Sequence, residues 1–163
     1  MNDNAKQIIK LLEDRGIDFE VYEHEPITSV EESKQLGLPH EGAGTKNFFL
    51  RDKKKRNYFI IVTKEDKPVD LKHVREILGT SALSFANEEE LDRMLHVISG
   101  AVGPFGALND AEHKVKVYID AEYREGLMDA HPNDNGATMF LKADDVICLL
   151  RENGTEVDYW ITR

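Results

Sequence analysis

The spacing of apolar residues changes along the chain, and each change marks the border of a predicted helix or strand. Apolar side chains recur at helical spacing over residues 4–15, and Gly16 is a natural residue to end that helix. Phe19 and Val21 alternate with polar positions, as in a half-buried strand that ends before Pro26. The pattern therefore predicts a packing helix followed by a strand.

A capped helix and a hairpin are predicted next. Ser29 with Glu32 three residues later indicates a capping box, which opens a short helix that ends near Gly37. Alternating apolar residues at 47–51 and at 58–62 lie on either side of a basic turn. This pattern predicts a β-hairpin.

The second half of the chain mixes helical spacing and strand-like alternation of apolar residues without a regular order. Residues 71–78 form an amphipathic pattern that turns Val74, Ile77 and Leu78 inward. Strands are predicted at residues 82–85, 115–119, 137–141 and 156–161, a capped acidic turn at 87–91, a short helix or turn at 121–127, a polar loop at 131–136 and a last helix at 144–151. Because helices and strands do not alternate regularly, we expect an α+β domain around a mixed sheet.

The composition is that of a globular protein without a membrane span. Of the 163 residues, 40% are hydrophobic, and no apolar run approaches the roughly 18 residues that a membrane helix needs. The length predicts a single domain over residues 1–163. The N-terminus lacks the basic start and apolar stretch of a signal peptide, which favours a cytoplasmic protein. Cys148, the single cysteine, lies in an apolar run and is expected to be a small buried hydrophobe.

The charge of the chain is unevenly distributed. A net charge of −10 argues against non-specific nucleic-acid binding by the whole surface, because such binding needs Lys and Arg to neutralise phosphates. A local basic cluster nevertheless lies in and beside the predicted hairpin turn: Lys46, Arg51, Lys53, Lys54, Lys55 and Arg56. A solvated hairpin tip and a phosphate-contacting surface both explain this cluster.

Residues 99–106 are the part of the sequence that the packing of helices and strands explains least well. The run Ser-Gly-Ala-Val-Gly-Pro-Phe-Gly places three glycines and a proline within eight residues. It predicts a rigid apolar turn whose bare N–H groups approach an oxygen-rich ligand. Two segments, Thr45-Lys46-Asn47 and Ala130-His131-Pro132-Asn133, place polar side chains beside predicted strand ends and are the candidates to face this turn.

Several common functional motifs are incomplete in this sequence. Gly42-Ala-Gly44-Thr-Lys46 lacks the spacing of a phosphate-binding loop and precedes a strand instead of a helix. The segment from His131 has the oxygen spacing of a calcium loop, but its first position is His and its twelfth is Lys142. No metal-ligand spacing and no serine nucleophile elbow are present. We therefore expect no metal and no cofactor, and water as the attacking group in a hydrolase.

Three segments together carry a resemblance to a known family. They are Lys46-Asn47 before Phe-Phe-Leu-Arg-Asp, Gly100-Ala-Val-Gly-Pro104-Phe-Gly106, and His131-Pro132-Asn133. This combination resembles the YbaK/ProX family of aminoacyl-tRNA deacylases, freestanding relatives of the editing domain inserted in bacterial prolyl-tRNA synthetases. The likeness covers nearly the whole chain and implies a single α+β domain, in which a mixed sheet, partly closed into a barrel, is flanked by helices.

Details of these segments resemble one branch of the family. The run at 46–54, the segment Pro104-Phe-Gly-x-Leu-Asn-Asp110 and His131-Pro132 are similar to the prolyl-editing branch, which clears alanine from tRNA for proline. Gly103 stands where many relatives have Thr or Ser, so a side-chain hydroxyl is not part of a mechanism here. Two alternatives remain open: a deacylase for another small amino acid, such as serine or cysteine, and a non-catalytic module that senses aminoacyl-tRNA or an amino acid.

Hydrolysis of an aminoacyl ester must stabilise an oxyanion, place a water and hold the terminal ribose and amino acid. The expected catalytic set is Lys46, the turn with Gly100 and Gly103, and His131. Lys46 suits an electrostatic anchor for the carbonyl or terminal phosphate better than a base, and backbone N–H groups of residues 100–103 suit the oxyanion. His131 would orient substrate or water, or it is a structural loop residue.

The resemblance also implies substrate and partner contacts. Asn47 would bond the substrate amino group or ester oxygen, and the other expected substrate contacts are Phe48, Ala101, Val102, Pro104 and Phe105. Of these, Phe48, Val102 and Phe105 would size the pocket for alanine. The expected partner is the acceptor end of tRNA for proline, and prolyl-tRNA synthetase is a further candidate. RNA would be contacted by Lys53, Lys54, Lys55 and Arg56, and neither DNA nor a membrane is an expected partner.

Overall fold

The first helix, α1 (Asp3–Asp14), packs an apolar face onto the rest of the molecule. In the computed structural model, which describes residues 1–161, α1 buries Ala5, Ile8 and Leu12. The side-chain oxygen of Asn2 caps the helix by accepting a hydrogen bond from the Ala5 N–H at 2.8 Å. Gly16 follows with φ 66°, and this left-handed conformation ends the helix as predicted.

The remaining elements follow in an irregular order. They are β1 (Phe19–Glu23), α2 (Val30–Gln35), β2 (Thr45–Asp52), β3 (Tyr58–Lys64), α3 (Leu71–Leu78), β4 (Leu83–Phe85) and α4 (Glu88–Glu90), which continues as a π-helical turn at Leu91–Leu95. After 3₁₀ segments at Ser99–Ala101 and Pro104–Asn109 come β5 (Val115–Asp120), a 3₁₀ turn at Ala121–Tyr123, β6 (Leu127–Ala130), β7 (Ala137–Lys142), α5 (Ala143–Glu152) and β8 (Val157–Trp160).

The strands form two sheets. The larger has the order β4-β2-β3-β5-β8, and the smaller has the order β1-β7-β6. β5 pairs parallel with β3 and with β8, whereas the other pairs are antiparallel, so the predicted α+β class with a mixed sheet is confirmed. The sheets approach each other where the Asp129 N–H donates to the Ala43 carbonyl at 2.9 Å, and the strands close only part of a barrel.

β3 is buried on both of its faces, and this divides the core into two clusters. One face packs with α1, α5 and the smaller sheet in a large cluster that includes Ile8, Val62, Met139 and Leu150. The other face packs under α3 in a smaller cluster with Leu50, Phe59, Ile61, Val74 and Trp160. None of the helices within residues 1–161 is both long and apolar enough to cross a bilayer.

Three local predictions are corrected by the structure. The short helix or turn expected at 121–127 is present as a 3₁₀ turn at Ala121–Tyr123, but β6 follows it from Leu127, where no strand was predicted, because β6 pairs with β7. Ile77 is 38% exposed, since Val74 and Leu78 form the inward row of α3 and Ile77 lies at its rim. Cys148 is exposed, not buried, because α5 turns the neighbouring Ile147 and Leu149 toward the core.

Candidate active site

The three segments singled out in the sequence meet around one cavity of about 230 Å³. β2 contributes its first half, the glycine-rich turn contributes one wall, and the loop after β6 contributes another. Residues 27–30 and Ser33, which lead into and begin α2, complete the lining. Six predicted site residues line the cavity: Lys46, Asn47, Phe48, Gly100, Val102 and His131.

Four predicted site residues lie behind this lining. Phe105 is fully buried and Ala101 is 1% exposed, so both pack into the large core cluster. Pro104 begins the second 3₁₀ segment and is buried within it. A Cβ added at Gly103 would come to 3.7 Å from the His131 carbonyl oxygen, which places Gly103 directly against the loop that carries His131. These four residues support the cavity wall and do not line it.

The glycine-rich turn approaches its neighbours closely at Gly100. A Cβ there would lie 3.0 Å from the Ile27 carbonyl oxygen and 3.1 Å from Asn135 Nδ2. Asn135 Nδ2 itself donates to that carbonyl at 2.9 Å. Of the N–H groups predicted to bind an oxyanion, that of Ala101 already donates to the Ile98 carbonyl at 2.9 Å. Glycine at position 100 is therefore required by close packing, and the Ala101 N–H is already used within the turn.

β2 presents an open edge to the cavity. β4 pairs only with Leu50–Asp52, so the start of β2 has no neighbouring strand on that side. The Thr45 N–H donates to Asp129 Oδ1 at 3.0 Å, and the Phe49 carbonyl accepts from the Ala86 N–H at 2.9 Å. Backbone groups of alternate residues in a strand point to the same side. The N–H and carbonyl of Asn47 therefore face the open edge between these two contacts.

Lys46 is held by a backbone oxygen. Its Nζ donates a hydrogen bond to the Lys67 carbonyl, in the loop after β3. Lys46 is among the residues that line the cavity, and its backbone pairs with Thr63 of β3. The strand pairing and this hydrogen bond together fix the ammonium group beside the Lys67 carbonyl.

The environment of His131 favours a neutral imidazole. Its Nδ1 lies 3.1 Å from the Ala137 carbonyl oxygen. Because a carbonyl only accepts, Nδ1 carries the proton and Nε2 is the acceptor nitrogen. Burial lowers the pKa of His131 below the usual value for histidine, against a smaller opposing effect of that hydrogen bond. The ring can therefore accept a proton at neutral pH.

Thr45 and Asp129 also line the cavity, although no role was predicted for either. Burial and, to a smaller extent, the nearby Glu65 raise the pKa of Asp129 to about 7, against the opposing effect of hydrogen bonds from Thr45. Asp129 Oδ1 accepts from Thr45 Oγ1 at 2.7 Å. The only feature of the sequence that points to Asp129 is its place as an acidic residue within the apolar run Leu-Met-Asp-Ala, which directly precedes His131.

The predicted RNA contacts lie at the far end of β2. Lys53, Lys54, Lys55 and Arg56 are exposed in the hairpin turn, about 23 Å along the strand from Thr45. The buried carboxylate of Asp52 orders the turn by accepting from the Arg56 N–H at 2.8 Å and from Asn57 Nδ2 at 2.7 Å.

Arg51 does not belong to this exposed group. Its Nε donates to Glu90 Oε1 at 3.0 Å, and Tyr58 OH donates to Glu90 Oε2 at 2.9 Å. The Arg51 side chain is 20% exposed and that of Glu90 is 3% exposed, so this is a structural ion pair. In the described part of the chain, no group of three or more His, Cys, Asp or Glu is arranged to hold a metal ion.

Comparison with known proteins identifies the family of this chain. The family model of the aminoacyl-tRNA editing domain matches residues 24–149. The chain is similar to the prolyl-tRNA editing protein ProX of Acetoanaerobium sticklandii, with 36% identity over 94% of this chain and 95% of that protein. It is also similar to the prolyl-tRNA synthetase associated domain-containing protein 1 of Mus musculus, with 33% identity over 85% of each chain.

A solved structure supports the fold alone. It is the crystal structure of a candidate trans-editing enzyme for prolyl tRNA synthetase, with a TM-score of 0.71 and 19% sequence identity. The alignment covers 98% of this chain and 97% of that one. The arrangement of helices and strands is thus shared over essentially the full length of both chains.

Proposed function

The chain belongs to the aminoacyl-tRNA editing domain family and is an aminoacyl-tRNA deacylase, and we propose that it removes alanine in trans from mischarged tRNA for proline. The observation that carries the proposal is the convergence of Lys46, the Gly100 turn and His131 on one small cavity. An ester carbonyl placed there meets a cation, a glycine turn and a neutral imidazole at once. These are the groups that hydrolysis by water requires.

The proposed reaction is attack of water on the ester carbonyl. His131 Nε2 accepts a hydrogen bond from the water and takes its proton as the new C–O bond forms. The oxyanion is stabilised by Lys46 and by the N–H groups of the turn that are not already used within it. Collapse of the intermediate breaks the ester C–O bond, and the ribose oxygen leaves with the proton that His131 took from the water. The products are free alanine and a tRNA with a free 3′-terminal hydroxyl.

Size is the proposed basis of selectivity. Phe48 and Val102 line the cavity beside the reacting groups, and neither is a flexible polar side chain. A methyl side chain fits such a cavity, whereas a larger side chain displaces the carbonyl from the turn. Serine and cysteine differ little from alanine in size, so deacylation of these esters is the neighbouring alternative.

A panel of mischarged tRNAs tests this function. We expect alanine on tRNA for proline to be hydrolysed fastest and correctly charged proline to be spared. Lys46→Ala should lower kcat/KM by at least about tenfold through loss of a charged contact. Lys6→Ala, on the exposed side of α1, is the matched control. Hydrolysis of no ester above the spontaneous rate would favour a non-catalytic sensing module, and full activity of Lys46→Ala would exclude the mechanism.

We also propose that the hairpin turn at 53–56 contacts phosphates of the tRNA acceptor stem. Its four cations are exposed on a protein whose net charge is −10, so they form a local attractive surface. Prolyl-tRNA synthetase is a candidate partner that would deliver the charged tRNA. Co-migration of the two proteins with and without tRNA tests that association, and elution as separate species under both conditions would exclude it.

A further inference from the structure

The side-chain oxygen of Asn47 is a buried acceptor without a donor. Within residues 1–161, no N–H or O–H group donates to Asn47 Oδ1. A buried polar atom without a partner costs about 1–3 kcal/mol, so such an atom calls for an explanation. Asn47 lines the cavity. A donor that belongs to a bound substrate would satisfy this oxygen.

The orientation of the Asn47 amide is fixed by two neighbours. When Asp129 is ionised, Thr45 Oγ1 donates its proton to Asp129 Oδ1 at 2.7 Å, because a carboxylate oxygen only accepts. The Thr45 hydroxyl can then only accept from Asn47. Asn47 Nδ2 donates to it at 3.3 Å. The amide oxygen is therefore held on the side away from Thr45.

Asp129 has a second carboxylate oxygen, Oδ2, that takes no part in the hydrogen bonds among Thr45, Asn47 and Asp129. Among the described residues, both hydrogen bonds to the Asp129 side chain come from Thr45 and fall on Oδ1. Asp129 is also the only carboxylate among the described residues that line the cavity. When it is ionised, its side chain thus brings a negative charge and a free acceptor to the same cavity as the Asn47 amide.

Two linked acceptors, one of them anionic, are complementary to a primary ammonium group. We propose that Asn47 and Asp129, through Asn47 Oδ1 and Asp129 Oδ2, bind the α-ammonium group of the aminoacyl ester, an inference that rests on the proposed deacylase function. Thr45 is the positioning residue that joins the two. The site therefore selects esters whose amino group is free, and it discriminates against N-acylated esters such as peptidyl-tRNA.

The test compares two substrates that differ only at the amino group. Alanyl-tRNA for proline and its N-acetyl derivative are hydrolysed by the wild type and by Asp129→Asn, which keeps an oxygen for Thr45 but removes the charge. We expect the wild type to prefer the free amine, and the variant to lower that ratio of kcat/KM values by about 10- to 100-fold, as for loss of a charged hydrogen bond. Asp66→Asn, an exposed carboxylate paired with Lys34, is the matched control and should keep the ratio.

Each other outcome has a defined meaning. If Asp129 only supports Thr45, Asp129→Asn lowers kcat/KM for both substrates equally and the ratio stays, which overturns the inference. A wild type that hydrolyses the N-acetyl ester as fast as the free amine also overturns it, and this result needs no variant. A wild type inactive on both esters would instead overturn the proposed function itself.

Discussion

At the scale of single residues, the two glycines of the turn differ in what they tolerate. Gly100 is packed against Ile27 and Asn135, whereas Gly103 has an extended backbone with φ −171° that any residue adopts. We expect Gly100→Ala to displace the turn and to lower kcat/KM for alanyl-tRNA at least about tenfold. Gly103→Ala should keep the activity within about twofold. The values of kcat/KM and the melting temperatures of both variants are measured. An equal loss of kcat/KM in the two variants would contradict this packing argument.

The raised pKa of Asp129 predicts a dependence of stability on pH. The pKa of this carboxyl is near its ordinary value of 3.8 in the unfolded chain and about 7 in the folded protein. Between these values the folded state binds more protons, so the contribution of Asp129 to stability falls as pH rises from about 4 to 7. Its titratable and charged neighbours are Glu65 and Tyr123 across the network, and Lys46 and His131 in the cavity.

Asp129→Asn should therefore raise the melting temperature at pH 8 and raise it much less at pH 4.5. Asp66→Asn controls for the change of net charge, since Asp66 is exposed. Comparison with the wild type cancels the opposite effect of His131, whose lowered pKa removes stability as pH falls through about 6.5. A melting temperature that rises equally at both pH values would show that the Asp129 carboxylate is not destabilised by burial.

At the scale of elements, the hairpin carries both the ester site and the basic turn at its two ends. Replacing Lys53, Lys54 and Lys55 with Gln should weaken tRNA binding and reduce the slope of log K against log salt by about 2 to 3, because up to three phosphates lose a cation. The matched control replaces three exposed lysines elsewhere: Lys10, Lys72 and Lys142. An unchanged slope in the first variant, or an equal change in the control, would assign the turn to solvated surface.

The contact between β2 and α4 rests on a buried charge. Glu90 accepts from Arg51 and Tyr58, and it also caps the Asn87 N–H at 3.1 Å. Glu90→Ala leaves the Arg51 guanidinium without its partner and should cost about 3 kcal/mol of unfolding free energy. Glu89→Ala removes an exposed pair with Arg93 and should cost less than about 1 kcal/mol. Urea unfolding measures the loss of unfolding free energy in each variant. Similar losses in the two would show that the buried Arg51–Glu90 pair stabilises the fold no more than the exposed pair does.

At the scale of the whole molecule, the site is placed where the two sheets come together. β2 belongs to the larger sheet and β6 to the smaller. Asp129, near the end of β6, accepts a hydrogen bond from the N–H of Thr45 at the start of β2. The glycine turn and α2 complete the cavity. A substrate bound there contacts both sheets, so its placement depends on how the sheets are packed and not on either sheet alone.

Much of the local structure was predictable from the sequence, because capping and periodicity act between near neighbours. The helix at 71–78 has the predicted bounds, with Asp70 as its N-cap and Gly79 in the left-handed conformation after it. The hairpin and the cap that Asn87 provides for the acidic turn were likewise predicted from short patterns. The family resemblance followed from three such segments.

The tertiary structure alone decided which residues share the cavity. β6 has four residues and an acidic side chain, so its pattern is weak, and it exists because β7 pairs with it. Asp129 reaches Thr45 across 84 positions of sequence, a distance that no local pattern encodes. The same packing placed Phe105 in the core and exposed Cys148. The sequence by itself thus determined the elements and the chemistry they carry, and the packing of the two sheets decided which of those groups meet.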